Sequence, residues 1–497
     1  MDRRHFLSHA SFFVVATASS LTACGGDDSD PQGSYQFPQG VASGDPRESS
    51  LVFWSRCVRA DGTTGDVAVR LQVSRSKAFD ALLADLPLTA SATYDFTVRA
   101  KVTGLPAATT LYYRFVAGSD NSAVGRGKTA PAASAVPAQL RFAWFSCQDW
   151  SVNHWGAMDL MAAEDDLDFV VHVGDYIYET VGAAFQSGAA EPAHARIQFP
   201  NGTALADGSR YATTLADYRA LYRTYRGDAR LQAIHAKFPM VATWDDHEFS
   251  DDCWQDHQTY TNENKQETAR RRAASQAWVE YLPVDFGDVS FDSANTAYDN
   301  LRIYRDFRFG TLMHLVMTDE RLYRDDHIVS EATIAMAQGH DPINGSDSVG
   351  ARYFVQQAVL AQFEGAKTQA MGRAPSILGT KQTDWWKSTL KNSTATWKVW
   401  GNELMLNRCW ADLRAMAPAP YNAVYVVNCD SWDGFPAHKA DLLGYLTANN
   451  IQNVVAITGD LHAFQCGVVR DNADPATGKA ALVDFVGAGI SSSSFYP

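Results

Sequence analysis

The chain reads as an α/β protein preceded by an all-β stretch, and three observations predict this. Residues 36–129 carry short apolar or alternating runs separated by Gly and Asp, the pattern of half-buried strands. From residue 140 onward, apolar runs of strand length alternate with helical stretches, the signature of a layered α/β domain. Between them, residues 130–139 are rich in Ala, Pro and Ser and read as a linker. At 497 residues the chain exceeds one ordinary core, so at least two domains are expected. Hydrophobic residues at 46% and charged residues at 20% exclude a disordered or fibrous chain. Asp and Glu number 56 against 42 Lys and Arg, a net charge of -14, which excludes a generally basic, nucleic-acid-coating surface. An acidic protein can still bind anions if metal ions supply the positive charge.

The first 24 residues read as an export signal. Arg3-Arg4-His5-Phe6-Leu7 is a twin-arginine pattern, and the apolar run from Ser11 to Leu21 is too short to span a bilayer. Leu21-Thr22-Ala23-Cys24 resembles a bacterial lipobox, with Cys24 as the lipidated residue and residues 25–35 as a polar tether. A simple cleaved signal with an incidental cysteine is the alternative. The expectation is export by the twin-arginine route, to the periplasm or to a membrane-anchored position at the cell surface. Within 36–129, strands are predicted at Ser50–Trp54, Val67–Val73, Tyr94–Val98 and Leu111–Val116. Gly104-Leu105-Pro106 with Tyr112-Tyr113 resembles the tyrosine-corner region of a fibronectin-III-like β-sandwich. Residues 140–497 form the second domain. Helices are expected at Thr214–Gln232, Glu263–Glu280 and Thr383–Lys391, and a long polar loop at Gln186–Ser209. Seven cysteines, at 24, 57, 147, 253, 409, 429 and 466, show no zinc-finger spacing. Cys409 with Cys429 is a candidate disulfide.

Four apolar runs end in metal-binding residue types. Phe142–Phe145 leads to Ser146-Cys147, Phe169–Val173 to Gly174-Asp175 and Tyr178, Met240–Trp244 to Asp245-Asp246-His247, and Val454–Thr458 to Asp460 and His462. In open α/β sheets, ligands gather at the carboxyl ends of strands, so four such endings would assemble one site. An anionic Cys147, a Tyr178 phenolate and the Asp175 carboxylate, completed by His462, favour a trivalent Lewis-acidic ion such as Fe3+. A second ion facing the carboxylates of Asp175, Asp246 and Asp460 has hard donors suited to Ca2+, Mg2+ or Mn2+. Each residue also has a bland reading. Cys147 as a core thiol, Tyr178 as a packed aromatic, and Asp460 with His462 as a turn carboxylate and a satisfied histidine are the alternatives. One of Asp245 and Asp246 is expected to cap a following helix, with Asp246 the ligand. His172 and His314 sit inside apolar runs as core histidines. Asp319 is a ligand or a strand-end cap, and Asp430 and Asp433 are turn formers. His247 is placed to protonate a leaving alkoxide or bind phosphate, Arg321 to grip free phosphate oxygens, and Asn402 to contact phosphate or metal.

Gly174-Asp175-x-x-Tyr178 resembles the purple acid phosphatase motif, in which the Asp bridges two ions. Phe145–Gln148, His172–Glu179, Trp244–Glu248 and Thr458–His462 resemble the PhoD-type alkaline phosphatases more closely. So do Trp397–Asn402, Asp430–Gly434, the twin-arginine signal and Phe37–Pro46. The resemblance implies a four-layer metallophosphatase sandwich (α/β/β/α), a binuclear Fe3+/Ca2+ centre, and hydrolysis of phosphomonoesters and phosphodiesters. The partners implied are small-molecule phosphate esters, not a specific nucleic acid. Two departures stand out. Glu403 occupies a position where Gln is expected, and the chain stops at Pro497 where family members continue, so C-terminal truncation is expected. The competing functions are a nucleotidase or phosphodiesterase on the same scaffold, and a non-catalytic phosphate-binding surface lipoprotein. The last predicts missing ligands, and none of the principal ones is missing.

Overall fold

The computed structural model describes residues 13–18, 34–183, 186, 191–259, 264–330, 354–472 and 477–494. Arg3, Arg4 and Cys24 lie outside the described residues. Two large sheets organise the chain. The first has the order Phe13–Thr17, Thr97–Thr103, Ser50–Arg56, Val41–Gly44, Met240–Thr243, Phe169–Val173, Phe142–Phe145. The second has the order Arg305–Phe309, Met313–Met317, Trp397–Gly401, Val454–Thr458, Ala480–Val486, Gln465–Arg470. Strands bearing predicted donors run parallel within each sheet, so their carboxyl ends emerge on one edge.

Strand periodicity decides which way each side chain faces. Along Phe169–Val173, Phe169, Val171 and Val173 point toward the second sheet, where they meet Phe307, Met313, Leu315, Met317, Val399 and Ile457. The alternate residue Val170, with Phe145 and Ala242, faces the helices Leu215–Tyr225, Ala229–Lys237 and Thr268–Tyr281 through Tyr222, Ile234 and Trp278. On the second sheet, Val316, Trp400 and Ala456 face the helices Gly379–Lys391 and Pro436–Ala448 through Trp386, Leu442 and Leu446. Both faces of the central strands are apolar, which explains why those runs lack a polar alternation.

The all-β region is two sheets packed over Leu51, Phe53, Val69, Leu71, Tyr113 and Phe115. One of them continues into the first large sheet at a parallel pairing of Gly44 with Met240. The buried Asp45–Arg305 ion pair, 2.7 Å, fastens the same junction to the second sheet. Residues 13–17, read from sequence as part of the signal run, form an edge strand parallel to Thr97–Thr103. Among the described residues, no helix is long and apolar enough to cross a membrane.

Several local expectations require correction. Tyr94–Val98 is not one strand: Ala92–Tyr94 is a 3-10 turn, and Asp95 and Phe96 take φ of 52° and 61°. Tertiary contacts override the β pattern there, because Arg56 and Arg223 both bond Asp95, at 2.7 Å each. Thr214–Gln232 is two helices, broken at Gly227, with Asp228 capping the second through Arg230 N–H at 2.8 Å. The helix placed at Glu263–Glu280 is Thr268–Tyr281, with Lys265–Gln266 paired as a short strand before it. The helix placed at Thr383–Lys391 begins earlier, at Gly379. Within Gln186–Ser209, residues 187–190 lie outside the described residues. Cys409 and Cys429 are not joined in a disulfide.

Candidate metal centre

The strand ends that carry the predicted donors are held in strained backbone. Cys147, Asp175, Asp460 and His462 all have positive φ, between 55° and 62°. Such left-handed non-glycine residues persist only where surrounding structure over-determines them, and they concentrate at functional sites. Here the determinants are hydrogen bonds between strand ends: Cys147 N–H to Gly174 O at 3.2 Å, and Gln148 N–H to Asp175 O at 3.1 Å. Close approach demands glycine at two positions. A Cβ on Gly174 would lie 2.4 Å from the Asp245 Cβ, and one on Gly459 would lie 2.6 Å from Ser146 Oγ.

The result is convergence. Donor atoms of Cys147, Asp175 and His462 lie within 4.8 Å of one another, as do those of Asp175, Asp246 and His247, and of Asp245, Asp246 and Asp460. The Tyr178 hydroxyl is 3.2 Å from Asp175 Oδ2 and 3.1 Å from His462 Nε2. His462 Nδ1 donates to Ser493 O at 2.6 Å, which fixes the tautomer and leaves Nε2 as the lone-pair nitrogen facing the cluster. Burial pushes His462 down to about 4, keeping the ring neutral. Burial, reinforced by neighbouring carboxylates, pushes Cys147, Tyr178 and Asp460 well above their usual ranges, and burial does the same to Asp175. Asp175 Oδ1 and Asp460 Oδ2 are buried without a hydrogen-bond partner. A buried carboxylate oxygen with neither donor nor cation is costly, and bound cations are the compensation this donor set fits.

Around this cluster, Glu248 accepts three backbone N–H groups, from Asp175 (3.1 Å), Tyr176 (2.5 Å) and Asp245 (2.7 Å), and so ties two strand-end loops together. Glu179 holds His247 Nδ1 at 2.7 Å, and the His247 ring stacks on Tyr178 with centroids 4.1 Å apart. Sequence reasoning assigned no role to Glu179, Glu248 or Ser493. The only available signal was that both glutamates close the strand-end runs in which the ligand candidates sit.

Two predicted substrate contacts are placed elsewhere. Arg321 is fully buried, its guanidinium 2.5 Å from Asp245, 2.7 Å from Asp430 and 3.4 Å from Asp460, so it backs the carboxylates instead of gripping phosphate. Asn402 is also fully buried, donating to Thr458 Oγ1 at 2.9 Å and accepting from Trp432 Nε1 at 3.0 Å. A position near a strand end, the signal for Arg321, does not reveal which side of that end is wet. Neither Asp245 nor Asp246 caps a helix. Asp245 Oδ1 meets Arg321, and Asp246 Oδ2 accepts Asp252 N–H at 2.6 Å within a turn. Asp319 resolves as a turn cap, accepting Leu322 N–H and Trp244 Nε1, both at 2.9 Å. Asp430 is an ionic hub for Arg321, Arg324 and His327, which exceeds the turn-forming role expected of it. His172 and His314 are buried, and His314 bonds Asp306 at 2.8 Å and Ser393 at 2.9 Å.

The mixed α/β scaffold gathers sulfur, phenol, imidazole and carboxylate donors at its strand ends, and comparison with known proteins places the chain among the phosphoric ester hydrolases. A family model described as PhoD-like phosphatase matches residues 142–497, and one described as PhoD-like phosphatase, N-terminal domain, matches residues 21–131. The chain therefore belongs to the PhoD-like phosphatase family. It is 29% identical to alkaline phosphatase D of Bacillus subtilis (strain 168), over 99% of this chain and 76% of that protein. It is also similar to a solved structure titled "Structure of PhoD", at 29% identity and a TM-score of 0.74, covering 94% of this chain and 79% of the other.

Proposed function

We propose that the chain is an exported phosphoesterase that hydrolyses small phosphomonoesters and phosphodiesters, releasing phosphate, with a two-cation centre. Cys147, Asp175, Tyr178 and His462 would hold Fe3+, and Asp175, Asp246 and Asp460 would hold Ca2+, with Mg2+ or Mn2+ as substitutes. The observation that carries this reading is the buried, partnerless oxygens of Asp175 and Asp460 beside a thiol, a phenol and a neutral imidazole. When bound, such a cation pair supplies Lewis acidity that neutralises phosphate charge and lowers the pKa of water.

The chain's own residues orient the reactants. Asp175 lies in two donor groups, one with Cys147 and His462 and one with Asp246 and His247, and would bridge the two cations. His247, held by Glu179, would hydrogen-bond a phosphate oxygen or hand a proton to the leaving alkoxide. The apolar layers between the sheets and under the helices fit a four-layer α/β/β/α arrangement, and the packed N-terminal sheets fit a fibronectin-III-like module. Export rests on the twin-arginine run and the lipid anchor on Cys24. The test is iron and calcium content of the purified mature chain, with turnover of a panel of mono- and diesters. A protein that takes up neither metal and hydrolyses no ester would end this reading. Turnover confined to diesters or nucleotides would move it to the nucleotidase or phosphodiesterase alternative.

A further inference from the structure

Behind the donor cluster sits a cation the protein makes itself. Arg321 is entirely enclosed, and its guanidinium divides among carboxylates from three segments: Nε to Asp245 Oδ1 at 2.5 Å, Nη1 to Asp430 Oδ2 at 2.7 Å, and Nη2 to Asp460 Oδ1 at 3.4 Å. The same Nη2 is 3.8 Å from Asp246 Oδ1. Arg321 engages each carboxylate through one oxygen only. Asp460 gives Oδ1 to Arg321, while its Oδ2 is buried without a partner, and Asp245 likewise leaves Oδ2 unpartnered. A carboxylate with one oxygen clamped cannot rotate without breaking that bond, so the other oxygen keeps a fixed heading. Arg321 is clamped in turn. Asp430 is the one carboxylate bonded to Arg321 that stands outside the donor sets, and its second oxygen accepts from His327 Nε2 at 2.6 Å and lies 3.0 Å from Arg324 Nη1.

We propose that Arg321, anchored by Asp430, is a positioning residue that turns Asp460 so that its Oδ2 faces the second, all-oxygen cation position. This rests on the two-cation reading above. Planarity matters: a guanidinium can serve Asp245, Asp430 and Asp460 at once in fixed directions, which a lysine ammonium cannot. Partners that orient metal ligands in this way typically change metal affinity 10–100-fold when removed. The side chains that Arg321 meets are the carboxylates Asp245, Asp246, Asp430 and Asp460, which include the donors proposed for the all-oxygen position, so the effect should fall on that position.

The experiment is Ca2+ titration of Arg321→Lys and Asp430→Asn against wild type, with iron content and thermal midpoint measured on the same samples. The expected result is about 10–100-fold weaker Ca2+ binding with iron per chain unchanged. Wild-type Ca2+ affinity in a folded variant would overturn the proposal, as would equal loss of iron and calcium. Asp430→Asn touches no donor of either set and is the variant to rely on if Arg321→Lys does not fold. If wild type itself binds none of Ca2+, Mg2+ and Mn2+, the two-cation reading fails. If wild type binds one of them and both variants match, only the positioning role fails.

Discussion

Two clusters of charged side chains, one around Asp228 and one around Asp175, use similar residues and reach opposite electrostatic states. In one, Asp228 bonds His194 at 3.0 Å and Arg230 at 2.7 Å, Arg230 also takes Glu191 at 2.7 Å, and His194 stacks on Trp150 with centroids 3.7 Å apart. Burial alone would raise Asp228, but His194 and Arg230 outweigh it and hold the carboxyl well below its usual range. In the other, Asp175 has Cys147, Tyr178, Asp246 and His462 about it, and burial drives its carboxyl the other way, well above that range. The difference lies in who supplies the positive charge. The first cluster is closed by its own arginine and fastens the loop that carries Trp150. The second leaves oxygens unpartnered, and an external cation is what would close it.

That contrast can be broken at several points, the largest effect first. Asp175→Asn removes the carboxylate common to both donor sets, so metal content should fall and ester turnover should drop by about a thousandfold or more. Cys147→Ala should spare calcium relative to iron, measured by elemental analysis. Chelation is the next lever. Removing cations leaves buried, like-charged oxygens facing one another, so the thermal midpoint should fall and recover on adding metal back. A midpoint indifferent to chelator would mean the cluster closes itself after all. Arg230→Met should cost about 1 kcal/mol, since its partners are partly solvated, and should leave metal content untouched. The sign with pH follows from Asp228. A carboxyl lowered by folding adds stability above its unfolded pKa of about 3.9 and loses it as pH falls through the lower folded value. Wild type should therefore lose more stability than Arg230→Met on acidification below about pH 4.

The smallest effect sharpens the comparison from the alkaline side. Glu403 is fully buried, accepting Thr243 Oγ1 at 2.8 Å and Glu320 N–H at 2.6 Å, and burial with Glu320, Asp319 and Asp245 nearby raises its carboxyl well above the usual range. Glu320 is pushed up to about 8. A raised carboxyl gives its full stability below the unfolded pKa and loses it as pH rises through the folded one. Glu403→Gln mimics the protonated acid, so its thermal midpoint should decline less than that of wild type as pH rises above the ordinary glutamate pKa of about 4.3. Parallel declines would show that Glu403 is already ionised.

The sequence alone determined the alternation of apolar runs with helical stretches, and the appearance of donor residues directly after those runs. It could do so because a strand's last residues and the turn behind it are local in the chain. His172 and His314 were legible as core histidines for the same reason, flanked by apolar neighbours. The tertiary structure decided what depends on segments meeting from far apart. Arg321 and Asn402 follow strands just as Cys147, Asp175 and Asp460 do. Only the partners Asp245, Asp430 and Asp460 for one, and Trp432 and Thr458 for the other, turn them inward. The left-handed break at Asp95, the fusion of the N-terminal sheet at Gly44–Met240 and the clamp of Glu179 on His247 share that origin. A residue's charge and exposure are set by what packs against it, and packing is not written in its neighbours along the chain.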